Sequence, residues 1–241
     1  QDVTSQYGVF ALAGPKARDL LKGLIKDADP ETALSNKRFP WLSYRQIELG
    51  MCPVNAIRVA YTGELGWELH HPIEMQNYLW DLLLKEGEKH GLKLVGARAQ
   101  NWLRQEKSYR AFGTELGRDA TPLEAGLDRF VDLDKDFYGK DAMVKTGIRS
   151  KCVTLLIDGP EDADQWGREA LYTEDGTRVG RLTSGGWSAA FGKSIGMGYV
   201  KPELAEPGTK LKVRLFKELW DAEVTEDSPY DPKNATIRVD G

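Results

Sequence analysis

An α+β fold is predicted for the first part of this 241-residue chain and a small β-barrel or sandwich for the rest. Three observations carry that expectation. Apolar residues recur at helical spacing before Lys151 and hardly at all after it. The early elements run strand, helix, strand pair, helix, helix, which is no regular βαβ alternation. Beyond Lys151, short alternating runs are separated by Asp-Gly, Gly-Gly and Pro-Gly turn signals. The composition shift falls at roughly 145–151, so one domain is expected over residues 1–148 and a second over residues 149–241.

Taken in order, "YGVFALAG" reads as a strand ended by Gly14-Pro15, and "KARDLLKGLI" as a helix with Ala17, Leu20, Leu21 and Leu24 on one face. Pro15 suits the first helical turn, where its missing N–H costs nothing. A polar, irregular stretch with Pro30, Pro40 and Trp41 leads to two strand candidates, "RQIELG" and "NAIRVAY". Pro72 opens a helix over "EMQNYLWDLLLKEGEKHG", with Met75, Leu79, Leu82 and Leu83 as its buried stripe and Gly91 as its stop. Another helix runs through "ARAQNWLRQEKSYRA". The second domain then offers "CVTLLIDG", "EALYTEDGTRVGRLTS", "SIGMGYV", "KLKVRLF" and "LWDAEVTE" as strands, with a hairpin at Asp175-Gly176.

Composition excludes several function classes. Hydrophobic residues make up 41% and charged residues 29%, enough for a real core. A net charge of −4 argues against a general nucleic-acid footprint. No run is long and apolar enough to predict a membrane span, and the first residues do not read as a signal peptide. Two distant cysteines, Cys52 and Cys152, and the adjacent pair His70 and His71 make a poor metal set. Cysteine usage points to a reducing compartment, the cytoplasm, or the mitochondrial matrix if the source is eukaryotic.

The stretch "IRVAYTGELGWELHH" holds the densest chemistry. Alternation places Ile57, Val59 and Tyr61 on one strand face and Arg58 and Ala60 on the other. Trp67 and Leu69 then share a face opposite Glu68 and His70. Gly63 and Gly66 allow backbone conformations that side chains resist. Glu68 is thereby held from both sides, as a preorganised carboxylate requires, although an exposed glutamate on a hairpin has the same pattern.

"YTGELGWELHHP" resembles the Y-x-G-E-x-G-[FW]-E motif of the glycine-cleavage T-protein (aminomethyltransferase) family. So do "VFALAGPKARDLL" before it and "LRQEKSYRAFGTEL", "TPLEAGLDRFVDLDKDFYGKDAM" and "LTSGGWSAAFGKSIGMGYV" after it, in the family's order. "LRQEKSYRAFGTEL" and "EDSPYDPKN" look most like the C-terminal folate-handling part of dimethylglycine and sarcosine dehydrogenases or oxidases. The resemblance implies an N-terminally truncated folate-binding domain followed by a small C-terminal β-barrel. It also implies a tetrahydrofolate-dependent one-carbon transfer giving 5,10-methylenetetrahydrofolate from an N-methyl amine or aminomethyl donor. In that pattern Glu68 holds the pterin, whose parallel N–H donors one carboxylate can accept together, and Tyr61 lies against the folate. Arg98 matches a folate-contacting arginine, with Arg104 as the alternative, and Trp187 lies on the barrel side of the site. Glu64 reads as a turn residue, and Lys193 and Ser194 carry the family's "GKS" without assigned chemistry.

Complete family members carry a section ahead of "VTSQYGVFALAGP", with an aspartate acting at the reacting end of folate. The chain by itself is therefore expected to be inactive. Folate and a small amine substrate are the expected partners, along with a missing N-terminal or flavin region of the same polypeptide. FAD would sit in a separate domain of the parent, since no G-x-G-x-x-G is present here. "GGWSAAFGKS" contains the letters of a P-loop but lies among hairpins with no helix to follow, so it is rejected. Other readings are a non-catalytic folate-binding or structural module and a folate-dependent methyltransferase or demethylase. The iron–sulfur-repair relatives carry a motif cysteine that this sequence lacks.

Overall fold

A computed structural model describes residues 1–160 and 164–240. The chain divides into two compact units, residues 1–97 with 233–241 and residues 98–232.

In the first unit, β1 (Tyr7–Ala13), β2 (Tyr44–Leu49), β3 (Cys52–Ile57) and β4 (Gly66–Pro72) form an antiparallel sheet in the order β1-β4-β3-β2. Between β1 and β2 lie two short helices, α1 (Ala17–Lys22) and α2 (Pro30–Ala33), and α3 (Gln76–Glu88) follows β4. The strands alternate as the sequence suggested. Leu12, Ile47, Leu49, Val54, Ala56, Trp67 and Leu69 point inward, onto Leu20 and Leu21 of α1 and Leu79 and Leu83 of α3. The other sheet face is left to solvent, with Tyr7, Val9, Tyr44 and Gln46 exposed and Glu68 and His70 half-buried.

Three expectations change here. The strand expected through Tyr61 stops at Ile57, where Val59 N turns back to donate to Ile57 O at 2.9 Å, and Arg58, on the inward face with Val54 and Ala56, is 1% exposed. Its Nη1 donates to Phe39 O at 2.7 Å and its Nη2 to Ile237 O at 3.3 Å. Pro15 lies in the turn before α1, with Lys16 as the cap residue, rather than inside the helix. Met75 and Leu82 are half-buried, so the stripe of α3 narrows to Leu79, Leu83 and Gly87.

The second unit opens with α4 (Ala97–Glu106) and continues through a long connection that holds α5 (Lys140–Thr146), a helix the periodicity did not signal. The remaining strands are β5 (Lys151–Ile157), β6 (Ala170–Tyr172), β7 (Arg178–Ser188), β8 (Lys193–Val200), β9 (Lys210–Leu215) and β10 (Glu218–Val224). They close in the order β10-β5-β8-β7-β6-β9, so the choice between barrel and sandwich is settled as a closed barrel. Leu155, Ile157, Leu171, Leu182, Val213 and Val224 fill its interior. The Asp175-Gly176 turn joins β6 to β7 with Gly176 at φ 85°. "GGWSAAFGKS" is the β7–β8 hairpin. Among the described residues, no helix is long and apolar enough to cross a membrane.

Candidate functional site

The structure places the four sequence-derived candidates in two groups, Tyr61 and Glu68 in the first unit and Arg98 and Trp187 in the second.

β4 is the central element of the first group. Trp67, fully buried, meets Phe39 edge-on with ring centres 6.2 Å apart. The guanidinium carbons of Arg18 and Arg58 lie 5.9 and 5.7 Å from the Trp67 ring. Burial and the neighbouring Arg18 bring Arg58 down to about 10, which still leaves it charged at neutral pH. A Cβ on Gly66 would stand 2.7 Å from Leu12 O, so only glycine lets the motif turn into β4 this close to β1. One residue after Trp67 the pleat points outward, and Glu68 rises from the open sheet face with its side chain 39% exposed. Its register partners are Ala11 on β1 and Ile57 on β3, so small or apolar residues flank it in register. His70, two residues along the same face, brings Nε2 to 3.2 Å from Glu68 Oε2. His71 faces the other way, fully buried, its ring nitrogens against Leu69 O and Gln76 Oε1. Tyr61 is exposed in the loop between β3 and β4.

In the second group, Arg98 stands in the first turn of α4. It forms an ion pair with Asp164, and its guanidinium carbon lies 4.7 Å from the Trp166 ring centre and 5.8 Å from that of Trp102. Trp187 is half-buried on β7, opposite Ser194. A Cβ on the preceding Gly186 would meet Trp102 at 2.1 Å, so α4 seats its tryptophan directly on β7 backbone. Trp102, Asp164 and Trp166 were not anticipated. The available signal was a large aromatic, Trp166, stranded in the polar run "DADQWGRE".

Arg104, the alternative arginine, is 1% exposed and bound to protein on every side. Its Nη1 donates to Glu115 Oε2 at 2.7 Å and to Tyr109 O at 2.8 Å, and its Nη2 to Ser184 Oγ at 2.5 Å. Thr183 and Ser184 both donate to Glu115 Oε1 at 2.6 Å. Consecutive strand residues reach one carboxylate because the β7–β8 register shifts between Leu182 and Ser184, a bulge. Burial alone would raise Glu115, but Arg104 and these hydroxyls outweigh it and hold the carboxyl below its ordinary range. Glu106 accepts from Ser188 Oγ at 2.5 Å, and Lys107 Nζ donates to Tyr230 O and Asp231 O at 3.0 and 2.6 Å. The helix expected through "EKSYRA" stops at Glu106, because these charged groups are drawn into the barrel side and Ser108 takes φ 53°.

Two family models account for nearly the whole chain. The one described as GCVT N-terminal domain matches residues 1–135, and the one described as Glycine cleavage T-protein C-terminal barrel domain matches residues 151–231. The chain belongs to the glycine cleavage T-protein family. Among curated T-protein relatives, the mouse protein named mitochondrial dimethylglycine dehydrogenase is 37% identical over 248 residues, covering 100% of this chain and 28% of its own length. A probable aminomethyltransferase of Thermococcus gammatolerans is 31% identical over 260 residues, covering 97% of this chain and 63% of its own. The chain thus spans only part of both. The crystal structure of the glycine cleavage system aminomethyltransferase T from Bartonella henselae shares the fold, with a TM-score of 0.79 and 24% identity, over 94% of this chain and 60% of that one.

Proposed function

We propose that this chain is the tetrahydrofolate-handling part of a one-carbon transfer enzyme in which Glu68 grips the pterin. The observation that carries the reading is the setting of Glu68. It is a partly exposed carboxylate held on a central strand, with small or apolar residues, Ala11 and Ile57, beside it in register. Such a setting fits a flat heterocycle lying on the sheet with its paired N–H donors turned to the carboxylate. Bound tetrahydrofolate would supply the carrier for the one-carbon unit. Tyr61 would cover the ring, and His70 would restrict the carboxylate to one rotamer by its contact with Oε2.

Arg98 and Trp187, in the second unit, enter the reading through the family resemblance alone, as a cation and an aromatic face of the kind folate takes. Arg98 is already paired with Asp164, so a ligand carboxylate would exchange with Asp164 rather than meet an idle charge. The likeness to dimethylglycine and sarcosine dehydrogenases supports a parent that takes its one-carbon unit from an N-methyl amine. FAD belongs to this reading only as a group of the parent, and no step here is assigned to it. The mitochondrial names of those relatives support the matrix as the site of action if the source is eukaryotic.

Anaerobic titration calorimetry with tetrahydrofolate tests the reading, on this chain and on the full-length parent, each beside Glu68→Gln. A tenfold or greater loss in the variant, about 1.4 kcal/mol, is expected. Equal affinities for wild type and variant, or no binding by the parent, would overturn it.

A further inference from the structure

We propose that one end of the barrel is a binding site for a small dianion, a phosphate monoester or two neighbouring carboxylates. The proposal is independent of the folate reading. β8 lies between β5 and β7 and runs antiparallel to both, so the starts of β5 and β7 and the end of β8 meet at the same barrel end. The residues there are cationic. Arg149 just ahead of β5, Arg178 and Arg181 on β7, and Lys201 just past β8 line a recess of about 370 Å³. Adjacent strands stand about 4.8 Å apart, so Lys201 has arginine-bearing strands on both flanks within reach of its side chain.

Two of the four cations are fixed and two are not. Arg149 donates through Nε to Glu124 Oε1 at 3.0 Å, and through Nη2 to Glu124 Oε2 at 3.1 Å and Asp119 O at 2.9 Å. Arg181 Nη2 donates to Asp119 Oδ2 at 2.9 Å. Among the described residues, Arg178 and Lys201 take part in no ion pair. Glu124 and Asp119 therefore orient two guanidinium groups and leave the recess with two unmatched positive charges, in a chain whose net charge is −4. Like charges gathered this closely repel, and a bound dianion removes that cost. Three planar forks and a flexible ammonium suit tetrahedral or paired oxyanions. The recess occupies a single barrel end and the chain is acidic overall, which does not fit a strand of nucleic acid.

The test titrates the whole chain with inorganic phosphate at low ionic strength, followed by phosphorus NMR. The double variant Arg178→Gln with Lys201→Gln is compared with Arg214→Gln, a barrel arginine stacked on Tyr172 outside the recess. Saturable binding, weakened about tenfold in the double variant and unchanged in Arg214→Gln, is expected. Replacing the pair by Arg178→Lys with Lys201→Arg should restore most of it. Competition by O-phosphoserine or by a glutamate dipeptide then identifies which oxyanion class the recess prefers. Non-saturable binding by the wild type, or equal affinity in the double variant, would overturn the proposal.

Discussion

Glu115 has no exposed side-chain surface and faces the guanidinium of Arg104 at 2.7 Å. Removing one partner of such a pair leaves a buried charge unmatched, a loss of about 3–5 kcal/mol. Glu115→Gln is therefore expected to lower unfolding stability by about that amount in urea titration, and Glu115→Gln with Arg104→Met to recover most of it. A loss below about 1 kcal/mol in the single variant would mean that the pair is solvated. Nothing in "LRQEKS" distinguishes this buried run from the charged face of a solvated helix. Its partners Ser184 and Ser188 are about 80 positions away in the chain, as with Ser184 and Arg104. The outward placing of Glu68 was legible, because the alternation around Trp67 is local.

At the scale of elements, the link between the 119–124 turn and the start of β5 rests on one carboxylate. Glu124 accepts from Thr121 N at 2.8 Å, Arg149 N at 3.0 Å and the Arg149 side chain, and the Arg149 bond leads in lowering it from 4.5 to about 2. A carboxylate lowered on folding stabilises the native state above its unfolded value and loses that contribution as pH falls through the folded one. Stability should thus decline between pH 4.5 and about 2, measured as urea midpoints, and Glu124→Gln should flatten that part of the profile. An unchanged profile in the variant would refute the link. The ends of elements were the least legible part of the sequence. α4 stops at Glu106 because Glu106 and Lys107 are drawn inward to distant hydroxyl and carbonyl oxygens. Periodicity, which carries only local information, cannot register such partners.

At the scale of the whole molecule, each unit buries one free cysteine, Cys52 at 0% and Cys152 at 8% exposure. Burial pushes Cys152 up to about 12 and raises Cys52 as well, so neither supplies thiolate at neutral pH. Native protein should show no rapid reaction with a disulfide reagent, and both thiols should react in denaturant. One fast thiol in the native state would identify a unit that opens. The sequence by itself determined the kinds and order of most elements, the glycine turns, the outward placing of Glu68 and the family, because spacing and turn chemistry are written in neighbouring residues. Tertiary structure alone decided that the late strands close into a barrel and that Arg104 is matched by Glu115. It alone decided, too, that Arg98 is held by Asp164 between two tryptophans and that four cations meet at one barrel end. Those outcomes depend on strand order and register, which bring together side chains that sequence separates by scores of residues.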